Sequence, residues 1–303
     1  MSRATPPASA SGPQISVIVP HYQDLANLDH CLTALTRQTL PREKFEIVVA
    51  DNASPAGVAE VAALIAGRAR LVVADERGAG AARNAGVDVA NGLVLAFTDA
   101  DCRPEPGWLE AGAAALGEFD LVGGRMEVLC ESATARTGPE AFETVFAFRN
   151  EDYVKRKGFS VTANLFCRRS TFDAVGPFAT SGVSEDTEWC LRARDLGFSI
   201  GFAPDAAVGH PARRTWQELV RKFRRIDEES FQLSLSRGGS RLAWLARSVA
   251  LPISAAVHTP RALMSQQLSS GGERARAVST LWAIRIWRTG DCLRLLVRNP
   301  VSR

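Results

Sequence analysis

The sequence has no close cysteine pairs, no apolar N-terminal run and no long apolar stretch, so we do not expect a zinc-binding, exported or membrane-spanning protein. Its six cysteines are scattered over 303 residues with no Cys-x-x-Cys spacing, which favours reduced, mostly buried thiols over a zinc site or a disulfide framework. Residues 1–14 are rich in Ser, Ala and Pro without an apolar core, so we expect a disordered tail on a cytoplasmic protein. The apolar stretch from Leu242 to Val257 contains Arg247 and Pro252 and is too short to predict a membrane span.

Charge is distributed unevenly along the chain. Residues 211–303 contain 17 Lys and Arg against 6 Asp and Glu, a net charge of +11, whereas the preceding residues carry a net charge of −8. An acidic body suits a metal-dependent site, and a basic C-terminal part suits phosphates or anionic lipid head groups. Solvated Arg-rich helices explain the basic part equally well.

The first two thirds of the chain alternate between short apolar runs and helical periodicity. Leucines at positions 25, 28, 32 and 35 are typical of a helix between two such runs, and Ser54-Pro55 predicts the start of another. This alternation indicates βαβ units, and hence an α/β fold with a mostly parallel sheet. The runs that predict strands are Ile15–Val19, Phe45–Ala50, Leu71–Ala74, Leu93–Phe97, Leu121–Val128 and Phe159–Phe166.

Two further features concern the later part of the chain. Gly123-Gly124 interrupts a predicted strand and is interpreted as a place where the backbone approaches a ligand. Beyond His210 the alternation stops, so we expect one α/β domain over residues 15–212 and a basic helical region over residues 213–303. Residues 278–297 set Trp and Leu beside Arg, which is typical of an amphipathic helix at a membrane surface and also of a helix packed on a domain.

The pair Asp99 and Asp101 follows the strand that ends at Phe97. In extended backbone, side chains two residues apart point to the same face, and hard carboxylate oxygens suit Mg²⁺ or Mn²⁺. A divalent metal site is therefore one interpretation. A turn or a helix N-cap, where Asp is common, is the structural alternative.

The glycine-rich segment at residues 78–83 leaves a second enzyme class open. It follows a strand and opens a helix, as the fingerprint of an NAD(P)-binding oxidoreductase does. However, Arg83 stands at the position of the closing Gly or Ala, and the segment follows the third predicted strand instead of the first. A non-catalytic nucleotide-binding scaffold is a further alternative.

Several short motifs occur in a specific order. They read ISVIVPHY at residues 15–22, IVVADNAS at 47–54, GAARNAG at 80–86, FTDADC at 97–102, SEDTEW at 184–189 and AVGH at 207–210. Together, from about Gln14 to His210, they resemble the inverting family 2 glycosyltransferases. The resemblance implies a GT-A type fold that binds a nucleotide sugar.

The resemblance also implies a donor site and a metal site. The base and ribose of the nucleotide would meet Pro20, Tyr22 and Asp51, which end the first two strands. Arg83 would add positive charge near the nucleotide. Asp101 would be the main ligand of Mn²⁺ or Mg²⁺, with His210 completing the coordination and Asp99 meeting the ribose or a second metal position.

For the acceptor side, the resemblance selects Asp186 as the catalytic base, with Glu185 next to it raising its basicity. Trp189, one turn beyond Glu185, either shapes the acceptor pocket or packs in the core. Acids at this place would also suit the start of a helix without any catalytic role.

The expected reaction is the transfer of a sugar, with inversion, from a nucleotide-diphospho-sugar to a hydroxyl group. A UDP-sugar is the first candidate for the donor, and a glycan or a lipid-linked molecule for the acceptor. The resemblance suggests cell-envelope or exopolysaccharide synthesis, with the protein on the cytoplasmic face of a membrane. No nucleic-acid partner is expected.

Overall fold

The computed structural model describes residues 12–55, 57–132, 134–180 and 182–298. Of the disordered tail expected over residues 1–14, residues 1–11 lie outside this part. Gln14 is already held in the fold: its backbone N–H donates to Lys44 and its carbonyl accepts from Val94, at 2.7 and 3.1 Å. The ordered fold therefore begins before the first strand.

Within the described residues, eight strands form one sheet. They are β1 (Ile15–His21), β2 (Phe45–Asp51), β3 (Arg70–Val73), β4 (Val94–Phe97), β5 (Arg103–Pro104), β6 (Leu121–Leu129), β7 (Leu165–Arg168) and β8 (Ile200–Pro211).

The helices cover this sheet and continue beyond it. They are α1 (Leu25–Leu35), α2 (Val58–Ile65), α3 (Ala79–Val89), α4 (Trp108–Ala115), α5 (Gly138–Phe146), α6 (Asn150–Asp152), α7 (Arg169–Val175), α8 (Glu185–Asp195), α9 (Trp216–Ser236), α10 (Arg241–Val249), α11 (Leu251–Leu263) and α12 (Gly271–Arg298), with short 3₁₀ turns at Arg42–Lys44 and Thr162–Asn164 and a π-helical turn at Tyr153–Lys157.

The strand order is β3-β2-β1-β4-β7-β6-β8-β5. The first four strands pair in parallel, β7 runs antiparallel to both β4 and β6, β6 and β8 are parallel, and β5 is antiparallel to β8. The predicted α/β fold with a mostly parallel sheet is confirmed. Because β1, β2 and β4 run in one direction, their carboxyl ends meet at one edge, where such sheets bind ligands.

Alternate residues of the central strands point to opposite faces of the sheet and pack in two separate core layers. Val17 and Val19 pack on the side of Leu28 and Leu32 from α1. Ile18, between them in sequence, faces the opposite side with Phe97. Strands buried on both faces have continuous apolar sequences, which is why these runs could be recognised from the sequence.

Two local predictions were wrong, and one strand was missed. The strand expected from Phe159 starts only at Leu165, because residues 162–164 form a 3₁₀ turn. The helix expected at Ser54-Pro55 starts at Val58. Strand β8 was not predicted as a strand, because Gly201, Pro204 and Asp205 break its apolar pattern.

Gly124 lies at the register shift between β6 and β8 and faces protein instead of a ligand. A Cβ there would lie 2.1 Å from the carbonyl oxygen of Ala206 and 2.4 Å from Nδ2 of Asn164. That buried amide donates to the carbonyls of Arg125 and Ala206 and accepts from Nε1 of Trp108, so its position is fixed. The prediction that the backbone approaches a ligand at Gly123-Gly124 is therefore corrected: here glycine allows close packing against other parts of the protein.

The C-terminal helices pack on the α/β part of the chain. Leu281 and Ile284 of α12 are fully buried against Phe142 of α5 and Leu219 of α9. Thus the apolar side of the amphipathic segment at residues 278–297 is mostly a packing surface, although Trp282 and Ile286 on the same helix remain exposed. In the described ranges, no helix is long and apolar enough to cross a membrane.

We predict that Gly124→Ala lowers the free energy of unfolding by about 2 kcal/mol or more, because neither backbone nor amide can move away from the added methyl group. Gly107→Ala is the matched control: its added Cβ has no atom within 4 Å, and its φ of −87° suits alanine. Urea unfolding midpoints measure both. Equal midpoints for the two variants would contradict the packing argument.

Candidate active site

A cleft of about 670 Å³ opens at the edge where β1, β2 and β4 end. It is closed on the other side by residues that precede and begin α8 and by one face of α9. The cleft brings together most of the residues that were singled out from the sequence. These are Pro20, Tyr22, Arg83, Asp99, Asp101, Glu185, Asp186 and His210.

Arg83 is the central cation of the cleft. It lies on α3 and is 3% exposed. One guanidinium nitrogen donates to Asp99 at 2.6 Å and another to Glu185 at 2.7 Å. Burial acts against the charged form, but the two carboxylates raise the pKa of Arg83 above its ordinary value. The side chain therefore stays charged and joins the end of β4 to the start of α8.

Asp101 and His210 face each other across the cleft, with Nε2 of the imidazole 3.3 Å from Oδ2 of the carboxylate. Nδ1 of His210 lies 2.8 Å from the carbonyl oxygen of Pro211, to which it can only donate. Burial lowers the pKa of His210 despite the opposing charge of Asp101, which favours the neutral ring. Nε2 then presents a lone pair toward a carboxylate, an arrangement that a cation between them would stabilise.

The donor atoms at this place suit a hard divalent cation. Ligand atoms of Asp99, Asp101 and Cys102 lie within 4.8 Å of one another. Burial, together with the charges of Asp101 and Asp99, raises the pKa of the Cys102 thiol well above its usual value, so it offers no thiolate. Carboxylate oxygens and one imidazole nitrogen remain, and this set fits Mn²⁺ or Mg²⁺.

Asp186 is anchored through a single oxygen. Its Oδ1 accepts hydrogen bonds from the hydroxyl of Ser184 at 2.7 Å, the backbone N–H of Thr187 at 2.6 Å and the Thr187 hydroxyl at 3.1 Å. No described residue donates to Oδ2. Burial raises the pKa of Asp186, and the charge of Glu185 raises it further. The side chain is thus a fixed carboxylate with one oxygen available and more basic than an ordinary Asp.

Two predicted site residues do not reach the cleft. Trp189 is fully buried in the core, where its Nε1 donates to the carbonyl of Gly176 at 2.8 Å, so it does not shape an acceptor pocket. Asp51 is also fully buried. Its oxygens accept from the hydroxyl and backbone N–H of Ser54 and contact Nδ1 of His21 at 2.6, 2.9 and 2.9 Å.

Of the hydrogen-bonded residues around Asp51, His21 is the one that lines the cleft. Although burial opposes it, hydrogen bonds from Ser54 hold the pKa of Asp51 below its ordinary value. An ionised Asp51 accepts a hydrogen bond from Nδ1–H of His21, and in the neutral form of that ring Nε2 is the acceptor nitrogen. This buried Nε2 has no hydrogen-bond partner among the described residues.

Helix α9 supplies cleft residues that the sequence analysis missed. Lys222, Arg225 and Glu229 line the cleft together with Arg213, which precedes the helix. Burial lowers the pKa of Lys222 to about 8 despite the charge of Glu143, while burial raises the pKa of Glu229 to about 7. The basic run at residues 221–225 was the only hint in the sequence of a cationic wall. That Lys222 and Arg225 of this run line the cleft is shown by the fold alone.

Known proteins resemble this chain in sequence. The profile described as "Glycosyl transferase family 2" matches residues 16–179. Glycosyltransferase AglE of Haloferax volcanii is 33% identical over 296 residues, 93% of each chain. The probable glycosyltransferase YdaM of Bacillus subtilis is 25% identical over 219 residues, which cover 68% of this chain and only 52% of YdaM.

Solved structures resemble it in fold. The mannosyltransferase PcManGT from Pyrobaculum calidifontis, in complex with GDP-Man and Mn²⁺, matches with a TM-score of 0.63 and 19% identity over 95% of this chain and 88% of its own. Residues 1–349 of S. aureus TarS, in complex with UDP-GlcNAc, match with a TM-score of 0.53 and 18% identity over 91% and 92% of the two chains. At these identities the likeness concerns the fold.

We predict that Arg83→Met lowers the free energy of unfolding at neutral pH by about 2–4 kcal/mol, because two partly buried carboxylates lose their counter-charge. Arg77→Met, at an exposed position just before the same helix, is the control and should change little. Urea unfolding midpoints measure both, and equal losses in the two variants would contradict the electrostatic explanation.

Proposed function

The chain belongs to glycosyl transferase family 2, and from this premise we propose that it transfers a sugar from a nucleotide-diphospho-sugar to a hydroxyl group with inversion, using Asp186 as the base. The observation that carries the proposal is the cleft itself. It combines an oxygen-rich cation site at Asp101 and His210 with a fixed carboxylate that has one available oxygen. A degenerate, non-catalytic scaffold would have no need for both.

An oxidoreductase that binds NAD(P) fits the fold less well. The strand order β3-β2-β1-β4 is shared with dinucleotide-binding folds, but the next strand, β7, is antiparallel. In addition, Arg83 occupies the last position of the glycine-rich segment and is bonded to two carboxylates. Family membership and these contacts together favour the transferase.

The donor's diphosphate would lie between the cation site and the α9 wall of the cleft. Arg213, Lys222 and Arg225 approach closely enough that Arg213 and Arg225 both lower the pKa of Lys222. Such mutual repulsion among cations is relieved by a bound polyanion. The base would stack on the half-exposed Tyr22, beside Pro20.

We propose that His21 recognises the base of the nucleotide and that Asp51 does not contact the base itself. Nε2 of His21 is a buried acceptor without a described partner, and an imide or amide N–H of a nucleobase is a donor that would satisfy it. Asp51 would fix the tautomer from behind. A UDP-sugar is the first donor to test, and a GDP-sugar the second.

A divalent cation would be held by Asp101 and His210, with Asp99 beside them. When bound, it supplies positive charge that stabilises the negative charge developing on the leaving diphosphate. Mn²⁺ and Mg²⁺ both suit these ligands. Arg83 keeps Asp99 in place from within the protein, because its guanidinium donates to Oδ1 and leaves the second carboxylate oxygen for the cleft.

The acid-base step follows from the geometry of Asp186. Oδ2 takes the proton of the acceptor hydroxyl while that oxygen attacks the anomeric carbon from the face opposite the diphosphate. The bond from the anomeric carbon to the diphosphate oxygen breaks, and its electron pair stays with the diphosphate. Three hydrogen bonds to Oδ1 hold the carboxylate in one orientation during this step.

The acceptor is proposed to be a glycan or a lipid-linked molecule used in cell-envelope synthesis. Glu185 and Glu229 line the cleft near Asp186 and would meet it; the charges of Glu185 and Asp186 both act on Glu229. The proposed location of the enzyme is the cytoplasmic face of a membrane, with peripheral attachment.

We predict that UDP or GDP stabilises the protein only together with Mn²⁺ or Mg²⁺. At 100 times its dissociation constant, a nucleotide should add about 2.7 kcal/mol to the free energy of unfolding, which a thermal shift would show. Chelation or Asp101→Asn should remove the effect, whereas Asp88→Asn, at an exposed position of α3, should not. A metal-independent shift with NAD alone would instead support the oxidoreductase.

We predict that Asp186→Asn reduces kcat by about 10²–10⁴-fold and changes donor affinity by less than about twofold, because asparagine keeps the Oδ1 hydrogen bonds and removes only the base. Glu188→Gln is the control on the same helix; Glu188 pairs with Arg192 and does not line the cleft. Steady-state kinetics and nucleotide titration give the two readouts.

The pH profile adds a check on the same residue. Because burial raises the pKa of Asp186, the wild-type kcat/KM should decline on the acid side at a pH above the ordinary Asp value of about 3.9. Normal turnover by Asp186→Asn would exclude Asp186 as the base. Loss of donor binding in that variant would mean that the residue serves the donor instead.

A further inference from the structure

Helices α10 and α11 present a row of apolar side chains to solvent. The two helices are joined by Ala250, which has helical φ and ψ of −78° and −12°, so they form a nearly continuous helical segment. Exposed apolar residues recur along it in steps of three or four, the spacing of one helix face. This apolar row consists of Leu242, Leu245, Val249, Ile253 and Val257, followed by Leu263 and Met264.

Packing within the chain does not explain this row. The opposite face of the same segment already supplies the contacts that hold it, through buried Trp244, Leu251, Ala255 and Ala262. Ile253 and Val257 are 67% and 69% exposed. Single exposed apolar side chains are ordinary, but a contiguous row of them marks an interaction surface.

The charged residues of the segment that carries the row have one sign. From Ser230 to Gly272 the sequence contains no Asp or Glu, although charged residues make up 23% of the whole chain. Four arginines lie in this stretch, at positions 237, 241, 247 and 261. A helix that is apolar on its outer face, bordered by arginine and free of acids suits an anionic lipid surface.

Further cations lie beside the row. Burial lowers the pKa of Lys157, and the charges of Arg247 and Arg149 lower it further; the charge of Arg149 also lowers the pKa of Arg261. Two acids near these cations are already paired: Asp152 with Arg149 and Arg156, and Asp227, whose charge acts on Arg247, with Arg288. Cations from three separate segments therefore converge with little counter-charge beside the apolar row.

We propose that the apolar row of α10 and α11, with its basic border, is the surface by which this protein inserts into the interfacial layer of an anionic membrane. Trp282 of α12 adds an interfacial aromatic at its side, because its Nε1 donates to the hydroxyl of Thr259 on α11 at 3.1 Å while its ring stays partly exposed. This surface differs from the segment 278–297 that the sequence suggested.

A second copy of the chain fits the row less well. A symmetric pair uses the same face on both copies, so Arg247 and Arg261 would meet arginines without any acid of the stretch from Ser230 to Gly272 to oppose them. Lipid head groups of negative charge supply the missing counter-charge. The proposal concerns binding alone and does not depend on the transfer reaction.

The test is co-flotation of the full chain with two kinds of vesicle, one of phosphatidylcholine and one containing 30% phosphatidylglycerol as an added anionic lipid (about one in three head groups). We expect the protein to float with the anionic vesicles, with at least about tenfold weaker binding to the neutral ones and weakening as NaCl is raised. The double variant Ile253→Glu and Val257→Glu should lose binding, because both side chains are exposed and their replacement leaves the core intact.

Leu93→Glu, at a position 71% exposed on the α/β part of the chain, is the matched control and should bind like the wild type. Absence of wild-type binding, equal binding to both vesicles, or unchanged binding of the double variant would each overturn the proposal. Sedimentation analysis identifies the competing outcome: a wild-type dimer that the double variant converts to a monomer, without vesicle binding, would assign the row to self-association. Donor binding, measured separately, would remain unaffected in every case.

Discussion

The buried guanidinium of Arg83 is the interaction on which the cleft depends. It joins three parts of the chain that are distant in sequence: helix α3, the Asp99 carboxylate after β4, and Glu185 at the start of α8. Its Nε is buried without a partner among the described residues, so the two carboxylates compensate the buried charge. Through this one side chain, the proposed metal-binding loop and the proposed base helix are held at a fixed separation.

The cleft concentrates charges that would repel one another in the free protein. Glu185 and Asp186 lie side by side near Glu229, and burial raises the pKa of Asp186 and of Glu229. On α9, the helix that also carries Glu229, burial and then the charges of Arg213 and Arg225 lower the pKa of Lys222. Such arrangements reduce the stability of the folded state and are retained where substrate or metal supplies the balancing charge. These charges favour the proposal that an anionic donor and a cation bind in the cleft together.

The C-terminal helices have two separate roles in this arrangement. Helix α9 completes the cleft, and its Asp227 forms a buried ion pair with Arg288 of α12, at 2.5 and 3.0 Å, which fixes α9 on the rest of the chain. Helices α10 and α11 have instead an inner packed face and an outer apolar face. The basic character that distinguishes residues 211–303 is thus divided between one wall of the cleft and a surface proposed to contact lipid.

The sequence by itself determined the central strands, the order of the motifs and the family, because strands buried on both faces carry continuous apolar runs and short motifs at strand ends are local features. It also identified Asp99, Asp101, Asp186 and His210, which the fold brings to one cleft. Only the tertiary structure decided that Asp51 and Trp189 are buried, that α9 lines the cleft, and that residues 278–297 pack on the domain. These depend on which distant segments cover a side chain, and periodicity along one segment carries no information about its neighbours in space.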